Sequence, residues 1–255
     1  MKASEAARRR DRIVNLLSSY GELSANALSD MLGVSVQTLR ADLRALDEAR
    51  IVRRRHGGAS LATSSENIDY QPRQETSRDE KARIGAAVAG IVPNGATLAL
   101  GTGTTVEAVA RALVGHEGLT VATNNIHVVL ALRMARRISV LLAGGKVRLR
   151  DLDFIGAESA EFFAGLRFDF AVFSVGGLSG DGRLLDFNLE EVRARKAITA
   201  AGRRRVLVVD QTKLDRDIPF ACGALTDLDT IVCGGQLPAA LRQKVQAAGC
   251  ELLEV

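Results

Sequence analysis

The chain has 255 residues, 47% apolar and 25% charged, which is enough apolar side chain to bury a substantial core and excludes a disordered polypeptide. Its formal charge of +4 sits wholly at one end: residues 1–58 hold 11 Lys and Arg against 7 Asp and Glu, and the rest holds 23 of each. That end is expected to meet a polyanion. Cys222, Cys233 and Cys250 are odd in number and lack CxxC or Cys/His spacing, so buried structural thiols are expected, with no disulfide framework and no metal. No apolar run approaches the roughly 18 residues of a membrane span, and the first ten residues lack the apolar centre of a leader peptide, so a cytoplasmic location is expected.

In chain order, Ile13, Leu16, Leu17 and Tyr20 fall on one face of a first helix that Gly21 ends. Ser24 is positioned to cap a second helix with Ala27, Leu28, Met31 and Leu32 inward, and Gly33 supplies a tight turn. Ser35 then caps a third helix whose Val36, Leu39, Leu43 and Leu46 face a core, leaving Gln37, Arg40, Ala41, Arg44 and Glu48 outward. Recognition helices present such side chains to base edges, where Arg pairs with guanine and Gln with adenine. Ser35, Gln37, Thr38, Arg40 and Arg44 are therefore candidate DNA contacts. Residues 51–58 read as a basic hairpin strand, a wing, that adds Arg54, Arg55 and His56 along the phosphates. A winged helix-turn-helix over 1–58, a polar linker over 59–77 and a second domain over 78–255 follow.

The second domain opens on a helix with a capping box, Ser77-Arg78-Asp79-Glu80, and an apolar face of Ile84, Ala87, Val88 and Ile91, stopped at Pro93-Asn94-Gly95. Strands are predicted at 96–100, 119–123, 139–142, 169–175, 206–210, 230–233 and 250–253, alternating with helical segments. That rhythm predicts a largely parallel, helix-covered α/β sheet, whose ligands bind beyond the carboxyl ends of the strands. The turns there are polar. Gly101-Thr102-Gly103-Thr104-Thr105 runs into a helix near Val106, and Gly103, Thr104 and Thr105 are suited to an anion. Thr123-Asn124-Asn125, Gly144-Gly145-Lys146, the glycine-rich 176–182 and Asp210-Gln211-Thr212-Lys213 complete a set that fits one small polyol phosphate. His116 and His127 have no acidic or thiol neighbours in sequence and read as surface or core-satisfied side chains.

Ser35-Val36-Gln37-Thr38-Leu39-Arg40-Ala41-Asp42-Leu43, with Leu46 and Arg55-His56-Gly57-Gly58-Ala59, resembles the helix-turn-helix and wing of the DeoR family of bacterial repressors. The resemblance continues through Gly103-Thr104-Thr105, Thr120–Asn125, Ala143-Gly144-Gly145, Gly156, Asp169, Glu191 and Asp210-Gln211-Thr212-Lys213, in the order of that family's sensor domain. Ser65-Glu66-Asn67, Arg78–Lys81, Asn124–Val128 and Leu184–Phe187 are similar to the branch that responds to glycerol 3-phosphate. The resemblance implies a sensor with a ribose-5-phosphate-isomerase-like fold and release of operator DNA by a phosphorylated sugar or polyol. One small winged helix covers only a half-site, so a homodimer or homotetramer on an inverted repeat is expected. The resemblance also implies an effector site with phosphate on Gly103, Thr104 and Thr105, Lys213 beside the ligand, and Asp186 and Glu191 included. Two positions depart from the pattern: Ala41 stands where a second arginine is usual, and Gly101 near where many members carry an acid.

Two other classes fit the residues less well. An isomerase needs a carboxylate base at its substrate. Ser179-Gly180-Asp181-Gly182 supplies a single acid where such enzymes have an acid-rich turn, and a fused winged helix serves no catalyst, so no catalytic residue and no cofactor is expected. A non-specific architectural DNA binder would explain the basic end but not the set of polar turns.

Overall fold

The computed structural model describes residues 2–20, 22–49, 51–55, 57–61 and 70–255. The chain divides into two compact units, residues 1–78 and 79–255.

The first unit runs α1 (Lys2–Tyr20), β1 (Leu23–Ser24), α2 (Ala25–Leu32), α3 (Val36–Glu48), β2 (Val52–Arg55), β3 (Gly58–Leu61) and α4 (Tyr70–Glu75). The helix boundaries have local causes. Ser24 Oγ accepts the Ala27 N–H at 3.1 Å to start α2, Gly33 ends it at φ 67°, and Ser35 Oγ accepts the Thr38 N–H at 3.1 Å to start α3. Ile13, Val14, Leu17, Leu28, Leu32, Leu39, Leu43, Leu46, Ile51, Val52 and Ala59 form one core. β3 lies between β1 and β2, antiparallel to both, and makes the wing a three-stranded ribbon.

Four features differ from expectation. Tyr20 is 64% exposed, because it ends α1 beyond the reach of the core, and Val14 takes the inward place instead. Met31 is also exposed; the buried stripe of α2 runs through Ser29, whose Oγ donates to Val34 O at 2.5 Å. The stretch 59–77 is not all linker, since it holds most of β3 and the short α4. The capping box does not form: Ser77 sits at φ 55°, its buried hydroxyl has no partner among the described residues, and Glu80 Oε1 instead accepts the Gln211 N–H at 2.7 Å. Gly21 and His56 lie outside the described residues.

The second unit runs α5 (Arg78–Ile91), β4 (Thr97–Leu100), α6 (Thr104–Ala112), β5 (Leu119–Thr123), α7 (Ile126–Leu132), β6 (Ile138–Leu142), β7 (Val147–Arg148), β8 (Asp153–Phe154), α8 (Ala157–Ala164), β9 (Phe168–Phe173), β10 (Gly177–Leu178), β11 (Arg183–Asp186), α9 (Leu189–Ala201), β12 (Gly202–Val209), β13 (Phe220–Ala224), β14 (Thr230–Cys233), α10 (Ala239–Ala247) and β15 (Glu251–Glu254). The main sheet is parallel throughout, in the order β15-β14-β12-β9-β4-β5-β6. Alternation along each strand sorts its side chains between two faces. Leu98, Leu100, Val121, Val172 and Val206 pack with α5, α6 and α7, whereas Ala99, Ala122 and Ala171 meet Phe163 of α8 and Ile198 of α9. Leu241 and Val245 of α10 cover Leu207, Val209 and Ile231 on that second face.

From β4 the chain winds outward through β5 and β6, then crosses back to β9 on the other side of β4 and continues to β15. The gap between the carboxyl ends of β4 and β9 is therefore the topological switch point, where open α/β sheets place ligands. A small antiparallel sheet, β10-β11-β13, and the β7/β8 hairpin add to this end.

Candidate functional site

On the first unit, α3 presents Gln37, Arg40, Ala41, Arg44 and Glu48 to solvent, as their spacing predicts, and β2 presents Arg53 and Arg54. Thr38 is half-buried and its hydroxyl lies 2.9 Å from that of Ser35, so both serve the start of α3. The side chain of Arg55 lies outside the described residues. Sequence reasoning missed Asp42, which is 2% exposed on the core side of α3 and accepts Arg9 Nε at 2.5 Å and Arg10 Nε at 3.1 Å. Part of the basic surplus is thus spent inside the domain, anchoring α1 to the candidate recognition helix. The signal was present: Asp42 is three residues from Leu39 and four from Leu46, on the apolar stripe, where an acid needs a cation.

On the second unit, the five polar turns leave the carboxyl ends of β4, β5, β6, β9 and β12, as the sheet order requires. Gly103 precedes α6 at φ 107°, which favours glycine, and no side chain among the described residues caps that helix start, which suits its first N–H groups to an anion. Thr104 and Thr105 are its first two residues. Thr105 Oγ1 donates to Asp210 Oδ2 at 3.2 Å, joining the turn after β4 to the turn after β12 across β9. Lys81 Nζ of α5 is 3.8 Å from the same carboxylate, with both side chains buried. Burial opposes ionisation of Asp210, but Lys81, Lys213 and the hydrogen bonds from Thr212 outweigh it and hold its pKa below the ordinary value. Lys81 shares the apolar stripe of α5 with Ile84 and Val88, three and seven residues on, a spacing that could have flagged it.

Thr123, Asn124 and Asn125 are fully buried. Asn125 Oδ1 accepts the His127 N–H at 2.9 Å to cap α7, and Asn124 Nδ2 donates to Phe154 O at 2.8 Å. Ala143 N donates to Thr123 O at 2.8 Å, which sets the Gly144-Gly145 turn beside this one. Arg148 binds Asp153 through two nitrogens, at 3.0 and 2.7 Å, and also Asp151 and Glu191. Glu191 is thus tied to the β7/β8 hairpin. Burial pushes the Asp153 carboxyl up despite Arg148. Asp186 is committed on both oxygens, accepting Gly176 N–H at 3.1 Å and Arg195 Nε, so it holds the turn after β9; burial raises its pKa in spite of Arg195.

Gly101, one of the two departures, would place a Cβ in ordinary contact, 3.4 Å from Phe173 Cβ and 3.6 Å from Ile198 Cδ1. His116 Nε2 lies 3.2 and 3.1 Å from the carbonyls of Ala89 and Val92 at the end of α5, a satisfied structural histidine. Cys233 and Cys250 are buried free thiols, while Cys222 is half-buried. No helix of the described residues is long and apolar enough to cross a membrane.

The family model described as a DeoR-like helix-turn-helix domain matches residues 9–65, and that described as the DeoR C terminal sensor domain matches residues 76–234. The Glycerol-3-phosphate regulon repressor of Escherichia coli (strain K12) is 37% identical over 235 residues, 92% of this chain and 93% of the relative. The HTH-type transcriptional repressor CsqR of the same organism is 35% identical over 245 residues, 96% of this chain and 94% of the relative. A solved ribose 5-phosphate isomerase from Plasmodium falciparum overlays 54% of this chain and 53% of its own, at 14% identity and a TM-score of 0.39. With a winged helix followed by a parallel α/β sheet, and with relatives spanning both, this chain belongs to the DeoR family of transcriptional regulators.

Proposed function

We propose that this regulator represses genes by binding an operator through α3 and the wing, and that a phosphorylated sugar or polyol, such as glycerol 3-phosphate, lowers its affinity for that DNA. The observation that carries this reading is the chain of buried contacts at the sensor's switch point. Thr105 of the candidate phosphate turn bonds Asp210, Asp210 faces Lys81, and the next residue, Gln211, donates its N–H to Glu80. Glu80 and Lys81 belong to the first turn of α5, three and four residues after Ser77, whose N–H donates to Asp11 Oδ1 of α1 at 2.8 Å. A dianion on the Gly103-Thr104-Thr105 turn, with Lys213 beside it, would redistribute the hydrogen bonds of Thr105 and Asp210 and so bias the start of α5. Such a difference between two states is what coupling requires. The glycerol-3-phosphate relative supports a polyol phosphate as the effector class.

A catalytic role receives no support from the turn that isomerases use for their base: Asp181 is exposed and held by Ser179 and Arg183. An operator-bound regulator belongs in the cytoplasm. A homo-oligomer on an inverted repeat fits the unequal edges of the sheet. At β15 the edge is charged, with Glu251 and Glu254 paired to Arg204 and Arg242, whereas β6 leaves Leu141 and Leu142 exposed.

The test is fluorescence anisotropy with DNA that the protein selects from a random pool. Arg40→Ala and Arg44→Ala should each weaken binding roughly 5- to 150-fold, the equivalent of a lost base contact of about 1–3 kcal/mol, with the sensor's melting unchanged. Unaltered affinity in both variants would overturn the assignment.

A further inference from the structure

Four buried side-chain atoms without a hydrogen-bond partner among the described residues lie at the carboxyl end of the sheet or on the helix that follows it: Asn124 Oδ1, Asn125 Nδ2, Ser174 Oγ and Glu191 Oε2. The asparagines are 0% exposed, and Ser174 and Glu191 are 6% exposed. Three of these side chains are pinned through their other polar atom, Asn124 by Phe154 O, Asn125 by the His127 N–H and Glu191 by Arg148. Rotation is therefore not an easy way to find a partner. Buried polar atoms in this condition are uncommon and call for a partner, an ordered water or a ligand.

Contacts link the residues that carry three of these atoms, Asn124, Asn125 and Glu191. Arg148 holds Glu191 and Asp153 at once, and Asp153 pairs through its backbone with Asn125. Leu100 of β4 and Thr123 of β5 are register partners, so the Gly103 turn and the Asn124 turn leave the sheet side by side, roughly 5 Å apart. Three buried carboxylates, Asp151, Asp153 and Glu191, gather around Arg148.

We propose that Glu191 Oε2 and the side-chain amides of Asn124 and Asn125 form a hydroxyl-reading subsite beside the phosphate turn, so that the effector carries neutral hydroxyls at its far end and a phosphorylated carboxylic acid of the same size is rejected. A hydroxyl donates to Glu191 Oε2 and accepts from Asn125 Nδ2, and a second hydroxyl donates to Asn124 Oδ1. A carboxylate can donate to neither oxygen and adds a negative charge to an acid-rich wall. This inference rests on the effector reading above.

The experiment is titration calorimetry of the full chain with glycerol 3-phosphate, 3-phosphoglycerate and inorganic phosphate. Glycerol 3-phosphate should bind roughly 100-fold more tightly than 3-phosphoglycerate. Glu191→Gln should shrink that ratio about tenfold, and the ratio is read within one variant, so it does not depend on stability. Asn125→Asp keeps the oxygen that caps α7 but deletes the Nδ2 donor, and should weaken glycerol 3-phosphate binding about tenfold. Equal binding of the two organic phosphates, or an unchanged ratio in Glu191→Gln, would overturn the subsite while leaving the effector reading in place. Binding of none of the three compounds would overturn the subsite and, with it, glycerol 3-phosphate as the effector.

Discussion

Replacing Asp210 by Asn keeps the shape of the turn after β12 and removes the charge that Lys81 and Lys213 face. Asp210 is 0% exposed and Lys81 5% exposed, with the ammonium 3.8 Å from the carboxylate, so the charge left on Lys81 has little access to water. Removing one partner of a buried pair costs about 3–5 kcal/mol, because it takes away the charge that offsets the other's burial. For a domain of this size each kcal/mol moves the melting temperature by about 2–4 °C, so the sensor transition of Asp210→Asn should fall by roughly 6–20 °C at neutral pH. Adding Lys81→Met should restore part of the loss, with a coupling of about 0.5–3 kcal/mol. The sign in acid is also set. The folded-state pKa of Asp210 lies below its unfolded value of about 3.9, so its contribution is complete above that pH and is lost as the pH falls through the folded value. The wild type should therefore lose its advantage over Asp210→Asn below about pH 4. Scanning calorimetry across pH reads all of this. A drop of less than about 2 °C at neutral pH, or strictly additive effects of the two substitutions, would refute the reasoning.

Two further outcomes follow from the same geometry. Asp42→Ala should destabilise the first unit by about 1–2 kcal/mol in urea titrations, at the low end for a buried acceptor because Arg9 and Arg10 can turn to water; an unchanged midpoint would contradict the α1–α3 anchor. Burial pushes the thiols of Cys222 and Cys233 up to about 12 and that of Cys250 up to about 11, so all three should resist a thiol reagent at pH 8 in the folded protein and react after unfolding. Fast labelling of half-buried Cys222 without unfolding would show its environment to be different.

Much of this architecture is readable from residue order. The seven parallel strands are short β-branched or apolar runs between breakers, and their predicted ends fall within one or two residues of the observed ones, save for β12. That strand begins four residues early, at Gly202, through three arginines that no apolar pattern reveals; Arg204 and Arg205 are settled by Glu251 and Asp229. The small strands β7, β8, β10, β11 and β13 are two to five residues long and carry glycine or charge, so they leave no period to detect. Within the sites, the outward face of α3 and the placement of the polar turns are legible because helix spacing and strand ends determine them. Asp42 and Lys81 left only the signal of a charge on an apolar stripe, and their partners, like that of Glu80, lie too far off in sequence to be named; Arg148 sits in a two-residue strand with no period to mark it as buried. Ser77 misled for a local reason: its left-handed backbone cannot adopt the extended geometry of an N-cap.

The central claim, that a phosphorylated effector and DNA oppose each other on this chain, is tested most directly by measuring glycerol 3-phosphate affinity with and without saturating operator DNA. Linkage requires the operator to weaken effector binding by the same factor, typically about 5- to 150-fold, by which the effector weakens operator binding. Matching factors in that range are the predicted result; an effector affinity that is the same on and off the DNA would contradict the account.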